Sequence, residues 1–352
     1  MKLTIKTEVL QNLLNNVIAS NNKMLPITCM MCLKVEDNKL ILITTNNRDF
    51  MYADVSIENE PFYVVLDIDV FTKLVSRTTY EEMTLEVVNH NLIVHGNGVY
   101  TIELPVDENG ELIKYPNPVE TIASNPRLIC KLSKEDVEII KKTNKANVST
   151  SLAEPCYTGY YMADRVVTSD RSVICCTNVS VSNDLPLLVS SEVIDALKND
   201  EVNLSITEDN ELLFHNDTYI IYTRSMEGIE DYNYEAIVNL VSSRMTNACA
   251  ISRNEMLNAL NRLSLFVNPF DRNSIELSIT NNQLQLKNNA LNSVEVIPIV
   301  ANGDFKCNID IEILKKQLSA QEQNSIELQY GSDLFIKFIT DKVIEIIPLL
   351  TE

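Results

Sequence analysis

One pattern runs through this chain six times, and it restricts the fold more than any other feature. A short strand ends in a polar residue, an amphipathic helix follows, and three alternating strands come after it. Near Leu3, Leu128 and Cys249 the pattern starts in its long form, as IKTEVLQNLLNNVIASN, LSKEDVEIIKKTNKAN and ISRNEMLNALNRLSLFVN. In the first of these Leu10, Leu13, Leu14, Val17 and Ile18 share one helical stripe; in the third Met256, Ala259, Leu260 and Leu263 do. Midway through each third it restarts in a shorter form, as FYVVLDIDVFTKLVSR, LPLLVSSEVIDALKND and FKCNIDIEILKKQLSA. The alternating runs that follow, such as CLKVEDNKLILITT and IELSITNNQLQLK, turn through Asn and Asp and read as hairpins.

Two such repeats make a domain of about 115 residues, an ordinary size, and 352 residues hold three of them. The expected domains are 1–122, 123–245 and 246–352. The first break is YPNPVETIASNP, stiffened by Pro116, Pro118 and Pro126; the second lies near LVSSRMTNA. Each helix carries one apolar stripe and each strand alternates, so the expected class is α+β, with helices on one side of antiparallel sheets. Six similar repeats in series form either an open array or an arc that closes on another copy.

Composition removes most enzymatic readings. The chain has seven glycines, and the one close pair, Gly96-Asn97-Gly98, fits neither a phosphate-cradling loop nor a dinucleotide fingerprint. Three histidines and no tryptophan leave little for a histidine-based site. Cys29-x-x-Cys32 has no second pair and falls in an apolar run read as a strand, where positions three apart face opposite ways. Cys175-Cys176 fails likewise, so the eight cysteines are expected as reduced core fillers. No metal, cofactor or catalytic group is expected. Asp67-x-Asp69 and Asp170-Arg171 are the compact carboxylate arrangements, and the first sits where a helix N-cap belongs. No leader or membrane span is read from the sequence, and a cytoplasmic location is expected.

Charge is uneven. The net is −20, yet the six helical stretches 7–19, 68–77, 131–145, 191–199, 253–262 and 310–319 together carry +2. Lys131, Lys134, Lys141, Lys142 and Lys145 cluster around the helix of the second domain; Lys73, Arg77, Lys198, Arg253, Arg262, Lys315 and Lys316 are distributed over the others. Each alone reads as part of a solvated helix face. Together they describe an acidic exterior with one face able to lie against phosphates without sequence preference. Interleaved aromatics are few, so base stacking is not indicated.

The opening MKLTIKTEVLQNLLNNVIASNNKMLPITCMMCLKVEDNKLILITTN resembles the start of the bacterial DNA polymerase III sliding clamps, the beta subunits of the replicative polymerase. Leu25-Pro26-Ile27 before a strand, and the hairpin at EDNKL, carry much of that likeness. It continues through TRSMEGIEDY and ends at EIIPLL, which resembles the hydrophobic-Pro-hydrophobic tail of the family. The resemblance implies a head-to-tail homodimeric ring, with helices lining a hole through which duplex DNA passes and sheets outside. Such a ring tethers a polymerase by raising its effective concentration at the primer. It implies contact with phosphates by the helix cations named above, and by the loop holding Asn22 and Lys23.

The resemblance also implies a groove for short peptides from the replicative DNA polymerase subunit, the clamp loader and other proteins with a clamp-binding motif. The positions it carries over are Tyr157, Ser169, Arg171, Val173, Ile174, Ile346, Ile347, Pro348 and Leu349. TSDRSVI departs from the family's Gly-His-Arg run, and Glu230 stands where proline is frequent, so the peptide preference is expected to differ. Ring closure is expected to involve Val99 and Thr101 on an edge strand, and Leu265 with Phe266. A competing reading is a repeat-built peptide-binding scaffold that does not encircle DNA: the first helical stretch has Glu8 and no base.

Overall fold

The computed structural model describes the chain apart from residues 16–24, 118–125, 152, 183, 267–272, 289–292 and 352. Among the described residues the strand–helix–three-strand repeat occurs six times. The first repeat is β1 (Lys2–Lys6), α1 (Thr7–Leu14), β2 (Met30–Glu36), β3 (Lys39–Thr45) and β4 (Phe50–Ser56). The second is β5 (Phe62–Asp67), α2 (Ile68–Ser76), β6 (Glu82–Val88), β7 (Asn91–His95) and β8 (Val99–Glu103). The third is β9 (Arg127–Leu132), α3 (Lys134–Lys142), β10 (Gly159–Met162), β11 (Val166–Ser169) and β12 (Ile174–Thr177). The fourth is β13 (Leu187–Ser190), α4 (Ser191–Ala196), β14 (Val202–Ile206), β15 (Glu211–His215) and β16 (Tyr219–Arg224). A helix outside the pattern, α5 (Tyr234–Ser242), precedes the fifth, which is β17 (Asn247–Ser252), α6 (Arg253–Leu263), β18 (Ser274–Thr280), β19 (Gln283–Asn288) and β20 (Ser293–Pro298). The sixth is β21 (Phe305–Asp310), α7 (Ile311–Ala320), β22 (Ser325–Tyr330), β23 (Phe335–Ile339) and β24 (Val343–Pro348).

Local chemistry sets these elements. Asp67 accepts from the Val70 amide at 2.8 Å and Asp310 from those of Glu312 and Ile313, so each strand-ending aspartate caps its helix. Asp67 is thereby accounted for without catalysis. Asp37-Asn38, Asn89-His90 and Asn281-Asn282 all have positive φ, the conformation of tight two-residue hairpins. The helices of the third and fourth repeats are shorter than the stretches 131–145 and 191–199 read from the sequence. The third ends as a turn of 3-10 helix at Asn144–Asn147, and Lys131 lies on β9 beside Glu201, 2.7 Å away. Pro26–Cys29 is a 3-10 turn, so the strand read through ITCMMCLKV begins only at Met30. Pro26 fixes φ there, and the Thr28 hydroxyl donates to the Leu25 carbonyl at 2.8 Å.

The sheets do not follow the repeats one to one. Each repeat's first strand crosses into the sheet of its neighbour: β1 joins β6-β7-β8, while β5 joins β2-β3-β4. The same exchange links the third and fourth repeats, and the fifth and sixth. A strand running straight into a helix has no hairpin, so the helix carries the chain across to the other sheet. Fourth strands then pair with fourth strands: β4 runs antiparallel to β16, from Phe50↔Tyr222 to Ala53↔Tyr219, and β12 to β24, from Ile174↔Ile346 to Thr177↔Val343. Two eight-stranded and two four-stranded sheets result. The class is α+β.

By its contacts the chain divides into two compact units, 1–134 with 192–225, and 135–191 with 226–352. The division passes through 123–245 because the third and fourth repeats each extend a sheet of a different unit. In the second unit Met256, Leu260 and Leu263 of α6 and Leu314 and Leu318 of α7 pack on alternating residues of β17–β19 and β21–β23. In the first, Leu10, Leu13 and Leu14 of α1 and Phe71 and Val75 of α2 are buried. Val17 and Ile18 of the expected stripe lie outside the described residues.

Candidate interaction surfaces

The helix cations expected to meet phosphate have different roles. Lys73, Arg77, Lys134, Lys142, Lys145 and Lys316 are exposed and Lys141 is half-buried. Lys73 lies 3.7 Å from Asp69, Lys142 2.9 Å from Glu322, and Lys315 3.2 Å from Glu312. Surface pairs of this kind are weak enough to exchange for phosphate. Three others serve the protein itself. Arg253 donates through Nε to the Leu318 carbonyl at 2.7 Å, satisfying the C-terminal end of α7. Arg262 holds Glu295 of β20 through two 2.7 Å bonds, which keeps that carboxyl below its ordinary range. Lys198, beyond the end of α4, donates to the Asn15 carbonyl, and burial lowers its pKa. Asn22 and Lys23 lie outside the described residues.

The groove positions divide by strand parity. Tyr157, Ile174 and Ile346 belong to one apolar cluster, while Val173 and Ile347 are fully buried in the other core and Leu349 packs against it. Val173 and Ile347 therefore present nothing to a ligand: consecutive strand residues point to opposite faces. Ser169 is buried too, bonding the Val173 carbonyl and the Arg171 amide. Arg171 has φ of 76° and reaches Glu154 at 2.9 Å, and Pro348 is half-buried.

The apolar cluster is larger than the sequence indicated. Tyr161 stacks on Tyr234 at 4.4 Å between centroids, and Tyr232 packs on Tyr157 at 4.9 Å and on Tyr161 at 5.0 Å. Met226, Ile229 and Phe335 pack there half-buried, and Ile237 and Val241 of α5 close its floor. The density of tyrosine in YTGYY and YNY was the available signal. Lys337, fully buried on β23, donates to the Leu240 and Val241 carbonyls at 2.5 and 3.2 Å and also to Ser243, holding the end of α5 in place.

Glu345 lies behind this seam, on β24 opposite Cys175 of β12. It is fully buried, and among the described residues neither carboxyl oxygen has a hydrogen-bond partner. Burial pushes its pKa up to about 8; the Gln321 side-chain amide opposes the shift, though without a hydrogen bond of normal geometry. The Asn144, Thr168 and Thr177 side chains nearby bond one another, and the Asn147 and Gln317 amides pair at 2.8 and 2.9 Å. All eight cysteines are free thiols, and burial raises Cys32 to about 12 and Cys176 to about 11. Among the described residues no group of three His, Cys, Asp or Glu is placed to hold a metal ion, and no helix is long and apolar enough to cross a membrane.

Two sheet edges stand out. On β8, Val99 is 66% exposed and Thr101 is exposed; on β20, Val294 and Val296 are 47% and 50% exposed. Each is the outer strand of a four-stranded sheet. Leu265 and Phe266, in a 3-10 turn after α6, are 79% and 48% exposed. The β20 edge was missed because its sequence reads as an ordinary alternating strand.

This architecture of exchanged and joined sheets is the sliding-clamp fold. Over its whole length the chain is similar to the DNA polymerase III subunit beta of Borrelia burgdorferi (TM-score 0.84, 16% identity, 100% of this chain and 99% of that one). It is similar to the DNA polymerase sliding clamp of Bacillus subtilis (0.83, 16%, 100% and 99%) and to the DNA polymerase beta subunit of Streptococcus pyogenes (0.83, 17%, 100% of both). A comparison with curated proteins by sequence gave no match. Residues 1–116 match the family described as DNA polymerase III beta subunit, N-terminal domain. That match covers about a third of the chain, and the solved structures show that the whole chain shares the fold of the bacterial beta subunits.

Proposed function

We propose that this chain is a processivity clamp: a homodimeric ring, built of domains 1–122, 123–245 and 246–352, that encircles duplex DNA and tethers a replicative polymerase. One observation carries the reading. The fourth strand of repeat one pairs with that of repeat four, and the fourth strand of three with that of six. Each joins a repeat to the one three further on. By the same rule β20 of repeat five takes β8 of repeat two in a second copy, and the second copy's β20 takes the first's β8. The exposed valines of both edges are then covered, and the contact is head-to-tail and closed.

Within such a ring Lys73, Arg77, Lys134, Lys141, Lys142, Lys145 and Lys316 meet phosphates, and the Tyr157–Ile346 face receives peptides from the polymerase, the clamp loader and other partners. The chain acts by topology and has no catalytic step; its place is the cytoplasm, with the DNA. Retention tests this. Loaded protein should stay on closed circular DNA in high salt and leave when the circle is cut. Equal loss from circular and linear DNA would refute encirclement.

The scaffold alternative draws on α1, which carries Glu8 and no base, so that the helix of the first repeat offers no cation for phosphate. Peptide binding without retention on circles would favour it.

A further inference from the structure

The tyrosine-lined face of the second unit is surrounded by acid. Two of the segments that build it, 154–171 and 226–235, carry a net charge of −5 over 28 residues, about three times the acidity per residue of the whole chain, while its strand segment 335–346 is neutral. Glu227, Glu230, Asp231 and Glu235 are exposed on the loop and helix that bring Met226, Ile229, Tyr232 and Tyr234 into the cluster. Two cations lie on the same segments, and the face holds both itself: Arg171 reaches Glu154 at 2.9 Å and Arg165 reaches Asp164 at 3.6 Å. An incoming acidic segment would have to break those pairs, whereas a basic one meets carboxylates already in place. Tyrosine rings add attraction for ammonium and guanidinium groups.

Resting on the clamp reading of this face, we infer that its partners present an aliphatic or aromatic core flanked by lysine and arginine. The apolar core lies against Tyr157, Ile174 and Phe335, which are half-buried at the cluster's surface. The flanking cations lie along Glu230 and Glu235, speeding encounter and selecting against acidic segments.

The experiment pans a displayed library of random peptides, about twelve residues long, on the full chain. Retained peptides are synthesised and titrated by fluorescence anisotropy against the unmodified protein, Tyr157→Ala, and the double charge reversal Glu230→Lys with Glu235→Lys. Should Tyr157→Ala disturb folding by circular dichroism, Phe335→Ala replaces it. The inference expects net-basic peptides that weaken with Tyr157→Ala. Charge reversal should cost them about tenfold in affinity at low salt, a gap that closes at about 0.5 M salt. Peptides that depend on Tyr157 but are neutral or acidic, or ignore the reversal, would overturn the inference and leave the groove standing. If no retained peptide responds to Tyr157→Ala or Phe335→Ala, the groove falls, and the inference with it.

Discussion

Replacing Glu345 by glutamine should stabilise the protein, and by more as the pH rises. The carboxyl titrates at about 8 in the fold against a reference of 4.5, because burial strips it of water and the Gln321 side chain offsets only part of that cost. Between those values the folded state holds a proton that the unfolded chain has released, so each pH unit subtracts about 1.4 kcal/mol of stability. The penalty is absent below pH 4.5, about 3 kcal/mol at pH 7, and near 5 kcal/mol once the pH passes 8. Glutamine has the same shape without the proton linkage. Urea unfolding of both proteins at intervals from pH 5 to pH 8 measures the gap, and hydrogen exchange across residues 343–348 localises it. The gap should widen steadily with pH. A constant gap, or a variant weaker throughout, would refute the assignment of a buried, protonated carboxyl.

Val99→Asp or Val296→Asp should each weaken the proposed dimer about a hundredfold, because each variant loses one buried valine at both β8–β20 contacts, about 1.5 kcal/mol apiece, with the fold intact by circular dichroism. Light scattering against the 39.8 kDa chain mass reads it; an unchanged dimer would remove β8 or β20 from the interface. Reversing Lys141, Lys142 and Lys145 to glutamate should shorten retention on circular DNA and flatten its salt dependence, by about 0.9 in logarithmic slope for each phosphate no longer neutralised. Unchanged retention would place those lysines away from DNA. Lys337→Met should free the end of α5 and cost about 1–3 kcal/mol through carbonyls left unpaired, read as faster hydrogen exchange over Tyr234–Ser242.

The sequence by itself determined the elements, because each is specified by neighbours a few positions away. The stripes of α6, the aspartate caps at 67 and 310 and the Asn-Asn turn at 281–282 are all local, and all are in the fold. The helix α5 escaped because it breaks the repeat. What only the tertiary structure decided is which strand lies beside which. Nothing local to β1 sends it to β6, 80 residues away, and nothing in VIEIIP tells which face of β24 is covered. That choice separates Ile346, on the apolar face, from Ile347, in the core, and it buries Glu345, which an alternating pattern would place in water. It also assigned Arg253 and Arg262 to partners in α7 and β20, where the sequence offered them to DNA. Charges and strand edges act through space, so their roles are set by distant residues that folding brings together.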